Sequence, residues 1–148
     1  MKTLVIGYGN SVRGDDGAGV HIAREIDNAK LPGVSVRIVH QLQVELVEEF
    51  SGFGRVIFVD ARQDGPDVLL EKVHLPKTSI ITSSHHVGPE LLGNLAKKIY
   101  GLEPELFLCS IRGEDFDFKK ELSMGALNRA KEAENKIRDL ILKEVCRA

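Results

Sequence analysis

Five short apolar runs, separated by polar and glycine-containing stretches, set the pattern of hydrophobic positions along this chain. Runs of this length with few charges are typical of strands that are buried on both faces. The run at 55–59 is the richest in β-branched residues, which favour strands. The predicted strands cover residues 3–7, 34–39, 55–59, 69–75 and 105–111.

Between the strands, apolar residues recur at the three- and four-residue spacing of helices that pack one face on a core. Pro89 suits the first turn of one helix, and Ser123 is suited to cap another. The predicted helices cover 17–28, a short segment at 45–50, 89–100 and a long final segment after Ser123. Strands that alternate with helices predict a parallel sheet covered on both faces.

The run at 69–75 departs from this alternation. Only about nine residues separate it from Val59, whereas a parallel crossover needs a dozen or more. We therefore expect this strand to be antiparallel to its neighbour, with residues 76–84 carrying the chain back to the opposite edge. The predicted fold is a single α/β domain over residues 1–148: three layers, α/β/α, around a mostly parallel twisted sheet of about five strands, one of them antiparallel.

Composition excludes several classes of protein. The formal net charge is −2 and the charges are mixed along the chain, so neither a nucleic-acid partner nor a membrane surface is expected. No segment reaches the ~20 apolar residues of a membrane span, and we expect a cytoplasmic protein. The two cysteines, Cys109 and Cys146, form no CxxC pair, and Cys109 lies in an apolar run that predicts a buried thiol.

Polar residues that suit chemistry fall where the predicted strands end. In an open parallel sheet, ligands bind beyond the carboxyl ends of the strands. Asp15 and Asp16 close the glycine-rich loop after the first strand, Asp60 follows the third strand, and His85 and His86 end the returning segment. Two carboxylates and one imidazole are a workable set of ligands for a divalent metal ion. Each residue also has a plainer explanation: a helix cap for either loop aspartate, a turn for Asp60, and a solvated loop for either histidine.

The glycine loop does not fit a dinucleotide-binding fingerprint. Gly7 and Gly9 occupy the first two glycine positions, but Val12 stands where the third small residue is needed. The two aspartates of the loop would repel a phosphate and attract a cation. The loop therefore favours a metal site over a nucleotide site.

The ordered set of motifs resembles the hydrogenase maturation endopeptidases, which process the large subunit of nickel–iron hydrogenases. The resemblance runs through most of the chain in order, and the supporting segments are G-x-G-N-x-x-x-x-D-D-G-x-G at 7–19, H-Q-L at 40–42, V-D-A at 59–61, S-H-H-V-G at 84–88, P-E-L-L at 89–92 and L-S at 122–123. It implies an endopeptidase that removes a C-terminal extension from a large-subunit precursor already loaded with nickel.

The resemblance also implies the site residues. Asp16, Asp60 and His85 would be the metal ligands, although many relatives carry glutamate where Asp16 stands. From the chemistry of the residues, we further expect Asp16 and Asp60 to be the catalytic residues of an aspartyl-type enzyme and Asn10 and His86 to bind the substrate. Asn10 and the backbone amides of the loop at 7–17 could also stabilise an oxyanion. His85 is preferred to His86 as ligand because it directly follows the serine pair. The nickel would arrive with the substrate, and no tightly bound resident cofactor is expected.

Two mechanisms and two other functions stay open at this point. The ion could act as a Lewis acid on the scissile carbonyl, or an aspartate could act as general base on a water. The same three ligands would suit a nickel-loading checkpoint or chaperone that binds the precursor without cutting it. A metal-dependent hydrolase of small molecules is the other alternative, and it predicts a deep closed pocket rather than an open groove.

Overall fold

The computed structural model describes residues 1–75 and 87–145, which form one five-stranded sheet with helices on both faces. The strands are β1 (Thr3–Tyr8), β2 (Val34–Val39), β3 (Arg55–Arg62), β4 (Val68–Lys72) and β5 (Glu105–Arg112). Their order across the sheet is β2-β1-β3-β5-β4. The first three strands and β5 are parallel, whereas β4 is antiparallel to β5.

Within the described residues, three α-helices and two short 3-10 helices accompany the strands. The α-helices are α1 (Ala18–Asn28), α2 (Pro89–Tyr100) and α3 (Met124–Val145), and the 3-10 helices are Gly14–Gly17 and Val44–Phe50. Proline begins α2, where a missing amide proton costs no hydrogen bond. Gly101 ends this helix in the left-handed conformation with φ of 67°.

The sheet separates two apolar cores. Side chains alternate along each strand, so every second residue packs on the same layer. On one face Val5, Ile57 and Cys109 pack under α1 and α3. On the other face Leu4, Phe58 and Leu106 pack with the helix α2 and the 3-10 helix Val44–Phe50. Other buried apolar residues of the two cores are Ile6, Ile22, Ile26, Val47, Phe50, Val56, Val59, Leu92, Ala96, Ile111, Ala133 and Ile137.

The predicted fold class is confirmed, including the antiparallel fourth strand. Two boundaries differ in a way that matters for the site. The helix predicted at 45–50 is a 3-10 helix, and β3 continues through Arg62 because Ala61 and Arg62 pair with Ile111 and Arg112 of β5. Asp60 therefore lies within the paired part of β3 rather than after it. Among the described helices, none is both long enough and apolar enough to cross a membrane.

Candidate active site at the carboxyl edge of the sheet

Close-approach glycines bring the loop after β1 onto the ends of β1 and β3. A Cβ atom at Gly19 would overlap the carbonyl oxygen of Val59 and lie 2.8 Å from that of Tyr8. Gly9 has φ of 141°, and a Cβ atom there would overlap the carbonyl oxygen of Asp16. The spacing of glycines in the sequence motif therefore has a steric cause: it lets the loop that carries Asp16 reach the strand ends.

Asp16 lies half-buried in the 3-10 helix Gly14–Gly17. Its Oδ2 accepts a hydrogen bond of 2.7 Å from the backbone amide of Asn10, which fixes the carboxylate against its own loop. Within residues 1–75 and 87–145, no hydrogen bond to Oδ1 of Asp16 is formed. One oxygen therefore orients the group, and the other can serve an external ligand.

Asp60 is half-buried near the end of β3 and is held by two neighbours. Its Oδ1 accepts a hydrogen bond of 2.7 Å from the amide of Ala61. The hydroxyl of Tyr8, on the adjacent strand β1, also bonds to its carboxylate. Burial, followed by the charge of Asp60 and this hydrogen bond, raises the pKa of Tyr8 well above its usual value. Tyr8 thus remains a neutral phenol and a hydrogen-bond donor to Asp60.

Asp16 and Asp60 share the carboxyl edge of the sheet, as predicted from strand order. β1 and β3 are direct neighbours with Gly7 opposite Val59, and the 3-10 helix that carries Asp16 contacts β3. Tyr8 was not predicted from the sequence pattern. Parallel pairing of the first and third strands would have predicted it. Tyr8, the residue after Gly7, must then lie beside Asp60, the residue after Val59.

Asp15 has a structural role that differs from both sequence-based explanations. It is fully buried and accepts four hydrogen bonds: from the amides of Glu114, Asp115 and Ser123 at 2.7, 3.0 and 2.7 Å, and from the Ser123 hydroxyl at 2.7 Å. Burial alone would raise the pKa of Asp15, but these hydrogen bonds outweigh it and hold the pKa below its usual value. Asp15 therefore ties the glycine loop to the start of α3, not to α1.

The backbone amides of the glycine loop are largely used inside the protein. Those of Gly9, Asn10, Val12, Arg13, Gly14, Asp15 and Asp16 all donate hydrogen bonds within the chain. The side-chain oxygen of Asn10 accepts the bond from Val12, at 3.1 Å. These bonds assign the amides to holding the loop, which weakens the case for an oxyanion hole here. The contact of Asn10 with substrate stays a prediction.

The predicted histidines, His85 and His86, lie outside the described residues. In the described ranges, no group of three or more His, Cys, Asp or Glu side chains is arranged to hold a metal ion. The structure thus places two of the three predicted ligands at one edge, and the third lies outside the described residues.

Cys109 is buried in the core under α1 and α3, and burial raises the pKa of its thiol to about 12. Such a thiol is a poor nucleophile. Cys146 lies outside the described residues.

A solvent-open groove of about 640 Å³ adjoins this edge beside β2. His40 lines this groove, and its carbonyl oxygen accepts a 3.1 Å hydrogen bond from the Gly9 amide of the glycine loop, whereas Asp16 and Asp60 do not line the groove. Its charged lining comes from Arg37, Glu45, Glu48 and Glu49, of which Arg37 and Glu49 form an ion pair at 2.7 Å.

The fold matches solved structures of hydrogenase maturation proteases over nearly the whole chain. The hydrogenase maturating endopeptidase HybD from Escherichia coli superposes with a TM-score of 0.79 at 19% identity, covering 97% of this chain and 94% of that one. The [NiFe] hydrogenase maturation protease HybD from Thermococcus kodakarensis gives 0.74 at 22% identity, with 95% and 99% covered. A hydrogenase 2 maturation peptidase from Thaumarchaeota archaeon SCGC_AB-539-E09 gives 0.70 at 22% identity, with 95% and 98% covered.

No family model matches the sequence, and no curated protein matches it. The three-dimensional likeness therefore establishes that this chain has the fold of these proteases. It agrees with the resemblance first seen in the ordered motifs.

Proposed function

We propose that this protein is a cytoplasmic endopeptidase that removes the C-terminal extension from the nickel-loaded large-subunit precursor of a nickel–iron hydrogenase. Asp16, Asp60 and His85 would take the substrate-borne nickel as ligands, and Asn10 and His86 would contact the precursor. The metal belongs to the substrate in this scheme, so the enzyme needs no resident cofactor.

The observation that carries the proposal is the position of Asp16 and Asp60 at the carboxyl edge of β1 and β3 in a fold shared with known maturation proteases. The two carboxylates come from different elements, and close-approach glycines let the loop that carries Asp16 pack on the ends of β1 and β3. Such convergence on the edge where this class of sheet binds ligands favours a functional site over two unrelated surface charges.

The ligand types explain why only a loaded precursor would dock well. Two carboxylates and one imidazole leave coordination positions open, which makes a weak site for a free ion. Nickel already held by groups of the precursor would accept these ligands, whereas an empty precursor would gain no such contact. Specificity then follows from a contact that the wrong substrate lacks.

The open groove beside β2 also favours a polypeptide substrate. A hydrolase of small molecules is expected to enclose its ligand, and most such sites bury the greater part of it. Here the groove is open to solvent and adjoins the glycine loop through the bond between Gly9 and His40. For hydrolysis itself, we favour Asp60 as general base on a water, because its carboxylate is held in place by Tyr8 and Ala61.

The decisive experiment is to incubate the purified protein with a nickel-loaded precursor and to measure the mass of the large subunit. We expect the mass to fall by that of the extension, without added nickel, while a metal-free precursor stays uncut. Stable binding of loaded precursor with no change in mass would indicate a checkpoint protein instead. Cleavage of the metal-free precursor, combined with stoichiometric nickel that the enzyme retains through dialysis, would overturn the substrate-borne model.

The two histidines provide a test of the ligand assignment. His85→Ala should weaken association with the nickel-loaded precursor more than His86→Ala, because only the first is expected to ligate the ion. Association can be measured by surface plasmon resonance with the loaded and metal-free precursors in parallel. The opposite ranking would move the ligand by one residue.

A further inference from the structure

Ser110 of β5 has a buried hydroxyl group with no hydrogen-bond partner in the described part of the chain. The residue is only 1% exposed. An unsatisfied buried hydroxyl costs roughly 1–3 kcal/mol, and such groups are rare in folded proteins. An alanine of nearly the same size would avoid this cost, so the hydroxyl calls for a functional explanation.

Ser110 lies directly beside Asp60 across the sheet. The two are paired in the register of β3 and β5, which continues without a bulge to Arg62 and Arg112. Side chains alternate along strands, and Phe58 and Leu108, each two residues earlier, both pack with the core under α2. Asp60 and Ser110 therefore project from the same face of the sheet.

Tyr8 flanks Asp60 on its other side, so a row of three polar side chains crosses β1, β3 and β5. Tyr8 follows Gly7, which pairs with Val59, and its hydroxyl bonds to the Asp60 carboxylate. Ser110 makes no such direct bond. Paired residues on neighbouring strands stand about 4.8 Å apart, a distance that a single water molecule can bridge between two short polar side chains.

We propose that the Ser110 hydroxyl donates a hydrogen bond to a water held by Asp60 and positions this water to attack the scissile carbonyl. The water oxygen forms a bond to the carbonyl carbon, and its proton passes to the Asp60 carboxylate. The carbon–nitrogen bond then breaks, and the departing amine takes the proton from Asp60. The products are a carboxylic acid, which then loses its remaining proton to solvent, and a free amine, and Asp60 is regenerated.

This inference rests on the proposed endopeptidase function and is tested with Ser110→Ala and Ser110→Thr in the precursor assay. Ser110→Ala should lower kcat about 10-fold and leave KM unchanged, because the lost bond acts on the water and not on the precursor. Ser110→Thr keeps a hydroxyl and should recover most of the rate. Thr3→Val is the matched control, since it removes another buried hydroxyl from the opposite end of the sheet.

Thermal unfolding separates this role from a structural one. Ser110→Ala should leave Tm nearly unchanged, because the bond that it removes is made to a water and not to another part of the chain. An alanine variant that processes precursor at the wild-type rate would overturn the proposal, as would a rate loss matched by an equal fall in the folded fraction.

A high-resolution crystal structure provides a readout independent of cleavage. We expect an ordered water within hydrogen-bond distance of both Ser110 Oγ and the Asp60 carboxylate in the wild type, and no such water in Ser110→Ala. If the wild type cleaves nothing, the protease function fails and the catalytic role of Ser110 fails with it, and the crystal structure then decides only whether Ser110 and Asp60 hold a water. If the wild type cleaves and no water bridges the pair, the assignment of Ser110 alone is wrong.

Discussion

Two consecutive aspartates of the glycine loop have opposite surroundings. Asp15 is fully buried and accepts four hydrogen bonds from residues near the start of α3. Asp16 is half-exposed, and its one hydrogen bond within the described residues comes from the Asn10 amide. The comparison teaches that residue type does not mark a functional carboxylate. A functional carboxylate is marked by an oxygen atom that can still bind a ligand after the hydrogen bonds of the fold have formed.

The largest expected effect is on precursor processing by variants of Asp16, the exposed loop aspartate, and of Asp60 on β3. Asp16→Ala or Asp60→Ala should slow precursor processing by at least about 100-fold, which corresponds to ~2.7 kcal/mol of activation free energy. Asp16→Ala should change the free energy of unfolding by only about 0.5 kcal/mol. Asp60→Ala leaves the Tyr8 hydroxyl and the Ala61 amide without their acceptor and should cost about 1–3 kcal/mol, so its processing rate is compared at equal amounts of folded protein. The rate follows from the mass of the large subunit over time, and stability from urea unfolding. Normal processing by both variants would remove the proposed site.

The buried member should show the reverse pattern. Asp15→Ala leaves three amides and one hydroxyl without their acceptor, and we expect the free energy of unfolding to fall by about 3 kcal/mol or more. Asp16→Ala is the matched control, one residue away. Urea unfolding followed by circular dichroism measures both. Equal midpoints for the two variants would show that Asp15 is not the anchor described here.

Acid should remove the contribution that the Asp15 carboxylate makes to the free energy of unfolding. Its pKa in the folded protein lies below the unfolded value of about 3.9, so its stabilising contribution is complete above that value. The contribution is lost as the pH falls from about 4 through the lower folded-state pKa. The difference in unfolding free energy between wild type and Asp15→Asn should therefore shrink between pH 7 and pH 3. A difference that stays constant over this range would contradict the assignment.

The smallest effect is expected at Tyr8, which holds the Asp60 carboxylate in place but is not itself one of the predicted site residues. Tyr8→Phe removes the hydrogen bond to Asp60 but keeps the ring that packs on the core under α2. Loss of a supporting hydrogen bond of this kind typically costs 10- to 100-fold, and we expect about 10-fold in the processing rate. Tyr100→Phe, on the exposed end of α2, provides a control. Identical rates for wild type and Tyr8→Phe would assign the tyrosine to packing alone.

The sequence pattern predicted most of the fold because the signals were local. Apolar runs located the strands, and the short connection after Val59 predicted the antiparallel β4. Asp16 and Asp60 followed from the rule that parallel strands present their carboxyl ends at one edge. The whole site prediction still depends on His85, which lies outside the described residues.

What the pattern missed depends on contacts between distant parts of the chain. The partners of Asp15 lie about one hundred residues further along, so local sequence favoured a cap on α1 instead. Tyr8 and Ser110 became relevant only when strand register placed them on either side of Asp60. Burial without a hydrogen-bond partner, the property that singles out Ser110, exists only in the folded protein.

The bond between Asp15 and Ser123 also sets an order of events during synthesis. The two residues are 108 positions apart, so the glycine loop leaves the ribosome long before its anchor is made. β5, which lies between β3 and β4 in the sheet, likewise arrives after both of its neighbours. Contacts of such long sequence separation form slowly and late. A nascent chain that ends before residue 114 would therefore carry Asp16 and Asp60 while the loop that orients Asp16 still lacks its anchor, and the proposed proteolytic activity would require synthesis to pass Ser123.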